Sequence, residues 1–443
     1  MKTARAAPWL QFRILRVTLI LPGLAIVCAV GTWTYAHRVL IPHQISDAGV
    51  RGTPRGNLSD LYPRWLGARE LLLRGRDPYS AGVTREIQAG YYGRALDASR
   101  AGDPIDQQAF AYPLYVVFYL APTVHLSFGM VQAAFFWILA GITAASIFLW
   151  LRFLGWTAAV PVQFAVVVLT LGSLPVLQAL KLQQLTLVVA ALGAAALALL
   201  VGGRPIAGGI LLSLATIKPQ LVLPLLLWLV WWSLGDLKRR YRWGAAFAVT
   251  TAVLGGASEW LLRHWMERFW HAAVAYRQYA QAIPMLEAML PDPWGRVVEV
   301  GFAVMVGFIC FKQLKAAEDA AVFQGLTCLV LSLSVLTVPK FALYNQVLLL
   351  PAVLLIARDW RTMWARNFIS RSLLMVVTLL LVWPWFASVV LAGFSFILRQ
   401  ETVERYWALP LWTVPQIPVG VAALMLIHNY RRTFTAPAMA GSS

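Results

Sequence analysis

Long apolar runs separated by short basic segments are the feature that most constrains this chain. A helix that crosses a bilayer needs about 20 predominantly apolar residues, and many of the runs are close to that length. No water-soluble core could bury so many of them, so the sequence predicts an all-α polytopic membrane protein with a bundle of about twelve transmembrane helices. The predicted runs are 14–36, 129–151, 157–178, 183–201, 205–217, 219–234, 242–262, 297–314, 319–337, 341–357, 372–393 and 410–428.

Composition excludes the other broad classes. The chain is 60% apolar and only 13% charged, with a mean hydropathy of +0.67, which is too apolar for a soluble domain. Its 12% aromatic residues and three cysteines do not fit a disordered chain or a disulfide scaffold. The net charge of +18 would suggest nucleic acid in a soluble protein. Here the basic residues lie mainly between apolar runs, so we expect membrane lipids as partners and no nucleic acid.

The placement of basic residues predicts the orientation of the chain. With both termini in the cytoplasm and sides alternating at each run, 18 of the 37 basic residues fall on the cytoplasmic side. Nine fall on the other side beyond a long first loop, residues 37–128. We interpret the first run as a retained anchor rather than a signal peptide, because it is longer than a signal core. The sequence thus predicts a multi-pass protein of the plasma (inner) membrane.

Two segments complete this organisation. Residues 112–127 are apolar but interrupted by Pro113 and Pro122, and we interpret them as an interfacial or re-entrant piece of the first loop, although a spanning helix is the alternative. Tyr112, Tyr115 and Tyr119 there are suited to the headgroup level. Residues 1–435 are predicted to form a single domain, and residues 436–443 a disordered tail.

The first loop carries a motif rich in helix signals. Between Asn57 and Gly75, Ser59 or Asp60 can cap a helix that buries Trp65, Leu66 and Leu73. Gly75 and the following Asp77-Pro78-Tyr79-Ser80 predict the end of the helix and a turn. Two interpretations of Asp60 remain open: it is a helix cap on an amphipathic surface helix, or it is a functional carboxylate.

Other polar residues collect where apolar runs break. Gln178, Lys181, Gln183 and Gln184 lie between two runs, Lys218-Pro219-Gln220 between another pair, and Lys340 to Gln346 near a third break. Under the predicted orientation, these groups and Asp60 share the non-cytoplasmic face. An ionisable group at such a break indicates function, although a lysine can also extend to the interface. The sequence therefore predicts a polar cavity at the outer membrane surface.

The residues of such a cavity, and the motifs that the sequence lacks, limit the reactions that it could catalyse. An aspartate can act as a general base on a hydroxyl, and a lysine can balance phosphate charge. Hydrolytic glycosidases use two carboxylates, whereas in this sequence only the Asp60 carboxylate stands out by its position. The six histidines have no ligand spacing such as HExxH, and no Walker-type loop or GxSxG elbow is present. We expect no metal site and no cofactor.

Several of these motifs, in this order, resemble glycosyltransferase family 87, the polyprenol-phosphate-mannose-dependent mannosyltransferases of the GT-C membrane fold. The resemblance covers about residues 55–245, and the later half of the chain is similar only in hydropathy. Two departures occur: Leu182 stands where the family has glycine before its glutamine, and Tyr344-Asn345 stands where members often have histidine. The motifs are Ser59-Asp60-Leu61-Tyr62 through Gly75-Arg76-Asp77-Pro78-Tyr79, Tyr112-Pro113 with Ala121-Pro122, Gln183-Gln184-Leu185-Thr186, Gly203-Arg204-Pro205 and Ala215-Thr216-Ile217-Lys218-Pro219.

The resemblance implies a fold, a reaction and roles for individual residues. It implies a GT-C-like bundle that transfers a sugar, mannose in this family, from a polyprenyl-phosphate donor to a glycolipid or envelope glycan acceptor. Asp60 matches the catalytic carboxylate, and Lys218 is expected to contact the lipid phosphate. Gln183 or Gln184 is expected to line the cavity. The other candidate substrate-binding residues are Tyr62, Arg64, Tyr79, Lys340, Tyr344 and Asn345.

Two other functions remain open at this point. A transporter or flippase of a polyprenyl-linked lipid would also use many spans and a basic cavity, but its expected inverted repeats are not visible in the sequence. A noncatalytic membrane scaffold would use Asp60 only as a cap.

Overall fold

The computed structural model describes residues 8–50, 59–97, 99–100, 103–104, 106–279, 283–338 and 342–434, and these ranges contain helices and no strand. A π-helical turn, Ala36–Leu40, joins the first two helices, and 3-10 turns cover Ala121–Thr123, Leu343–Leu349 and Leu409–Leu411. The all-helical prediction is confirmed for this part of the chain. The helices are Pro8–Tyr35 (α1), Ile41–Val50 (α2), Tyr62–Arg74 (α3), Ala81–Tyr92 (α4), Val116–Leu120 (α5), Phe128–Phe153 (α6), Val160–Leu171 (α7), Leu174–Lys181 (α8), Thr186–Val201 (α9), Pro205–Ala215 (α10), Pro219–Leu234 (α11), Leu237–Leu261 (α12), Trp265–Tyr279 (α13), Met285–Met289 (α14), Trp294–Lys312 (α15), Ala321–Thr337 (α16), Leu350–Trp364 (α17), Phe368–Phe394 (α18), Gln400–Glu404 (α19) and Gln416–Phe434 (α20).

The predicted number of membrane spans is tested by the length and composition of the helices. By length and composition, five helices in the described ranges can cross a membrane, or seven if each of two bent helix pairs is one span. Four further apolar helices, α9, α10, α11 and α16, have 17 residues or fewer. The predicted count of about twelve is not confirmed, because several apolar runs form helices too short to meet the length expected of a span.

The first helix extends well past its predicted end at residue 36. α1, the π-helical turn and α2 form one apolar helical stretch that reaches Val50. Val39 and Leu40 are buried against Leu391 and Val403 of the C-terminal part, and the Tyr35 hydroxyl donates to the carbonyl of Trp407. Helix therefore continues to Val50, through polar residues that hydropathy assigned to the first loop.

The apolar segment 112–127 does not form a long helix. It contains only the five residues of α5 and a three-residue 3-10 turn, which together span about 14 Å, against a hydrocarbon core of about 30 Å. Its tyrosines were expected at the headgroups, but Tyr115 donates to the carbonyl of Thr216 at 2.9 Å and Tyr119 to that of Leu214 at 2.9 Å. They therefore attach the loop to the end of α10.

Helix breaks gather at one region of the bundle. α7 and α8 are bent by 54°, and α12 and α13 by 95°. The predicted break at Lys218-Pro219 is present: α10 ends at Ala215 and α11 begins at Pro219, where proline fits the first helical turn. Helix breaks leave backbone groups and polar side chains available inside the protein, and such groups can line a polar site.

Candidate active site

A cavity of about 610 Å³ lies where the broken helices meet loop segment 59–127. Residues from α3, from the breaks before α9 and α11, from α13 and from the 3-10 turn at Leu343–Leu349 contribute to its wall. The predicted residues in that wall are Asp60, Arg64, Gln178, Gln184, Lys218, Tyr344 and Asn345. The structure thus brings together polar groups that are far apart in sequence.

Asp60 lies in this wall and does not cap α3. No side chain caps the first turn of that helix, and the hydroxyl of Ser59 accepts a hydrogen bond from the amide of Leu61 at 3.2 Å. The amide of Asp60 donates to the carbonyl of Leu182 at 3.0 Å, which attaches the loop to the break between α8 and α9. The side-chain carboxylate accepts a hydrogen bond from the Gln184 amide. The cap interpretation of Asp60 is therefore wrong.

The environment of Asp60 suits a base. Burial raises the pKa of its carboxyl, because a charge is harder to solvate away from water. The Arg64 and Lys218 cations and the hydrogen bond from Gln184 oppose that rise. In its ionised form, a carboxylate with a raised pKa is a stronger proton acceptor than an exposed aspartate.

Gln184 connects Asp60 to Lys218. Its Nε2 donates to Asp60, while its Oε1 accepts from the Lys218 ammonium at 2.6 Å. The carboxylate and the ammonium fix the amide orientation, since only the nitrogen can donate and only the oxygen can accept. Gln184 is 3% exposed, so this connection lies inside the protein.

The polar chain continues from Lys218 toward the later part of the sequence. The Lys218 ammonium also donates to the Thr186 hydroxyl at 2.8 Å, and that hydroxyl donates to Oδ1 of Asn345 at 3.4 Å. We call Asp60, Gln184, Lys218, Thr186 and Asn345 the polar relay. It joins the loop, two helix breaks and a 3-10 turn in one hydrogen-bonded network.

Lys218 is a buried cation with aromatic neighbours. It is only 6% exposed, and its Nζ lies 5.2 Å from the ring centre of Tyr344 and 5.7 Å from that of Tyr112. Ring faces attract cations, which offsets part of the cost of burial. Its hydrogen bonds within the described residues use two of the three ammonium donors, so one donor remains for a ligand in the cavity.

Arg64 adds a second cation to the wall. Its Nη1 donates to the carbonyl of Asp60 at 2.7 Å, and its guanidinium lies 4.5 Å from the ring centre of Tyr112. Its Nε is buried and has no hydrogen-bond partner among the described residues. A buried, unpaired donor on a cavity wall is a group that a ligand can satisfy.

Three predicted residues lie outside the wall, and one lies outside the described residues. Gln183 adopts a left-handed φ of 46° and its amide donates back to the carbonyl of Leu180 at 2.6 Å, so Gln184 alone of the pair lines the cavity. Tyr62 packs on Phe128, and Tyr79 donates to the carbonyl of Tyr112 at 2.6 Å. Lys340 lies outside the described residues.

The cavity also contains groups that sequence reasoning missed. Asp106 and Gln108 come from the loop, and Phe269, Ala273 and Tyr276 come from α13. Nothing in the loop sequence marks Asp106. The spacing of Phe269, Ala273 and Tyr276 puts them on one face of a helix, which is the signal that could have identified α13 as part of the site.

α13 is attached to the loop by an ion pair between Arg268 and Asp77. Asp77 is in the turn after α3 and also accepts from the amide of Tyr79 at 2.9 Å.

In the described part of the chain, no group of three or more His, Cys, Asp or Glu side chains is arranged to hold a metal ion.

Comparison with known proteins decides the family. The model of glycosyltransferase family 87 matches residues 110–339, a little over half of the chain. The chain belongs to glycosyltransferase family 87. As a member of this family it is a membrane glycosyltransferase with several apolar helices. Comparisons with curated proteins and with solved structures give no match.

The matched part of this family 87 chain includes most of the polar relay. Gln184, Thr186 and Lys218 lie within it, whereas Asp60 precedes it and Asn345 follows it. It continues beyond residue 245, where the motif resemblance ends.

Proposed function

We propose that this protein transfers a sugar from a polyprenyl-phosphate donor to a lipid-linked or cell-envelope acceptor. The family resemblance points to mannose as the sugar. The proposed reaction inverts the anomeric carbon and takes place on the non-cytoplasmic face of the membrane. The observation that carries the proposal is the polar relay in the cavity wall. It links a carboxylate that can take a proton to an ammonium that can hold a phosphate.

Asp60 is the general base of the proposed reaction. Its carboxylate accepts the proton of the acceptor hydroxyl, and that oxygen forms a bond to the anomeric carbon. The bond from this carbon to the phosphate oxygen breaks on the opposite face, and the polyprenyl phosphate leaves with the electron pair. One bond forms and one breaks on opposite faces, so the configuration at the anomeric carbon inverts.

Lys218 balances the charge of the leaving group. The donor phosphodiester gains one negative charge as it becomes a phosphomonoester, and a preorganised cation stabilises that developing charge. Gln184 holds the lysine and the aspartate at a fixed separation, because its amide bonds both. Tyr344 and Asn345 line the same region and are proposed to contact the donor.

A flippase for a polyprenyl-linked lipid is the alternative. It would need a cavity and a cation for the phosphate, but no carboxylate positioned beside the site where a hydroxyl would attack. Family membership and the position of Asp60 in the cavity wall both favour transfer over transport.

The first prediction concerns Asp60. In membranes supplied with radiolabelled polyprenyl-phosphate mannose, we expect Asp60→Asn and Asp60→Ala to lower transfer by about 100-fold or more, since a general base contributes about 10² to 10⁴ in rate. Asp97→Asn is the matched control, because Asp97 is an exposed carboxylate of the same loop outside the cavity wall. Asp60 variants that transfer as well as the control would disprove the proposal, and movement of the lipid without transfer would favour the flippase.

A further inference from the structure

Asp106 brings a second carboxylate into the wall of the cavity that holds Asp60. The backbone around it is tied in place: its carbonyl accepts from the Tyr92 hydroxyl at 2.6 Å, and its Oδ1 accepts from the amide of Gln108 at 3.1 Å. Gln108 adopts a left-handed φ of 51°, a conformation uncommon outside glycine. The turn thus presents Asp106 and Gln108 to the cavity together.

Asp106 is electrostatically close to the proposed base but separate from its hydrogen bonds. After burial, which is the largest effect, the Asp106 charge adds to the rise in the pKa of Asp60, whereas Arg64 and Lys218 lower it. The hydrogen bonds of the polar relay run from Asp60 to Gln184 and Lys218 and do not pass through Asp106. Asp106 therefore adds a second carboxylate to the wall of the same cavity, outside the polar relay.

The chemistry around Asp106 favours a neutral, hydroxyl-rich group. A carboxylate and an amide oxygen accept hydrogen bonds from hydroxyls, and the Tyr276 side chain of α13 lines the same cavity, where an aromatic ring can pack on the C–H side of a sugar ring. A phosphate in contact with Asp106 would meet a like charge, whereas a neutral group would not. The donor phosphate, in contrast, suits the cations at Lys218 and Arg64.

We infer that Asp106, with Gln108 and Tyr276, forms an acceptor subsite for a neutral sugar or polyol, in which Asp106 accepts a hydrogen bond from a hydroxyl beside the one that attacks. Asp106 is thus a specificity-determining residue. This inference rests on the proposed function, since it assigns the acceptor side of the same site.

The test compares acceptor analogues in the full-length protein in lipid nanodiscs. Polyprenyl-phosphate mannose serves as donor, and the acceptor probes are the octyl glycosides of mannose, glucose and galactose, together with the four monodeoxy forms of the best one. In the wild type, removing the hydroxyl that Asp106 binds is expected to lower kcat/KM for the acceptor by about 10- to 100-fold.

Asp106→Asn is expected to show the same loss with the intact acceptor, chiefly through KM, while KM for the donor stays within about twofold of the wild-type value. The deoxy analogue to which the wild type is most sensitive should lose little further in this variant, because the asparagine amide replaces the charged acceptor of that hydrogen bond with a weaker, neutral one. Asp97→Asn is again the control and should behave as the wild type.

Several outcomes would overturn the inference. The first is that the variant and every deoxy analogue lower kcat/KM independently and additively. The second is that Asp106→Asn changes only the KM for the donor. The third is that the wild type neither binds nor uses any neutral glycoside of the panel. Asp60→Asn run in parallel separates the two proposals. Loss of transfer in Asp60→Asn with wild-type behaviour in Asp106→Asn leaves the proposed function standing and removes only the acceptor subsite.

Discussion

At the scale of single residues, the side-chain amide of Gln184 connects the two charged groups of the site. Gln184 donates to Asp60 and accepts from Lys218, so it both stabilises the carboxylate and holds the cation. Its hydrogen bond lowers the pKa of Asp60, against the larger effect of burial, which raises it. A neutral neighbour with no proton to exchange therefore contributes to the pKa of the proposed base, beside the larger effects of burial and of the charges on Arg64, Asp106 and Lys218.

This residue predicts a pH effect with a definite sign. The proposed base works when ionised, so kcat/KM rises with pH through the pKa of Asp60, which lies above its ordinary value. Gln184→Glu removes the donor and adds a negative charge, which raises that pKa further, so we expect the acid limb of the pH profile to move to higher pH. Transfer at neutral pH is expected to fall by about 10- to 100-fold. Gln184→Leu, which removes the donor without adding a charge, should move the limb less. A profile that keeps its acid limb in both variants would exclude Asp60 as the titrating base.

At the scale of elements, the ends of short helices position the residues of the site. α10 ends at Ala215 and α11 starts at Pro219, which leaves Lys218 in the break with a φ of −125°. α10 in turn is held by α12: a Cβ on Gly209 would lie 2.1 Å from the carbonyl oxygen of Trp243. The two backbones are in contact at this point, as is common where small residues line a membrane helix interface.

A pair of glycines tests this contact. Gly209→Ala is expected to destabilise the protein by about 1 to 3 kcal/mol, because the obstacle is backbone and cannot rotate away. Gly244→Ala on α12 is the matched control: nothing lies within 4 Å of its Cβ position, and alanine favours a helix over glycine by up to about 1 kcal/mol. Thermal unfolding in detergent micelles should give a lower Tm for the first variant and an equal or higher one for the second. Equal Tm values would show that α10 and α12 can separate without cost.

At the scale of the whole molecule, the cavity and the main basic cluster lie at opposite ends of α11. Lys218 precedes this helix and Lys238 to Arg242 follow it, and its 16 residues span about 24 Å. Within the cluster, Arg240 is buried and donates to the carbonyls of Trp232, Leu314 and Ala316, so it joins helix ends rather than facing headgroups. Arg239 has 86% of its side chain exposed and fits the headgroup role.

This separation makes the predicted orientation testable. In a chain whose three cysteines are replaced by alanine, Arg277→Cys at the cavity wall should react with a membrane-impermeant maleimide in intact cells. Arg239→Cys should react only after the membrane is permeabilised, because positive loops face the cytoplasm. Labelling of both positions from the same side would contradict the separation, and the reverse pattern would place the site in the cytoplasm.

The sequence by itself determined the helical membrane class, the break at Lys218-Pro219 and seven of the polar or aromatic residues that line the cavity. These follow from local properties, because apolar length and proline act within a few residues. Its count of about twelve spans is not confirmed. It ended the first helix too early, since hydropathy does not register the contacts of Val39 and Leu40 with the C-terminal part.

Only the tertiary structure decided which polar groups meet. Asp60 and Gln184 are 124 residues apart, and their contact distinguishes a carboxylate in the cavity from a helix cap. The structure also separated Gln184 from Gln183 and brought Asp106 and α13 into the site. Such contacts depend on how whole helices pack, and a buried polar group finds its partner only after that packing has excluded water.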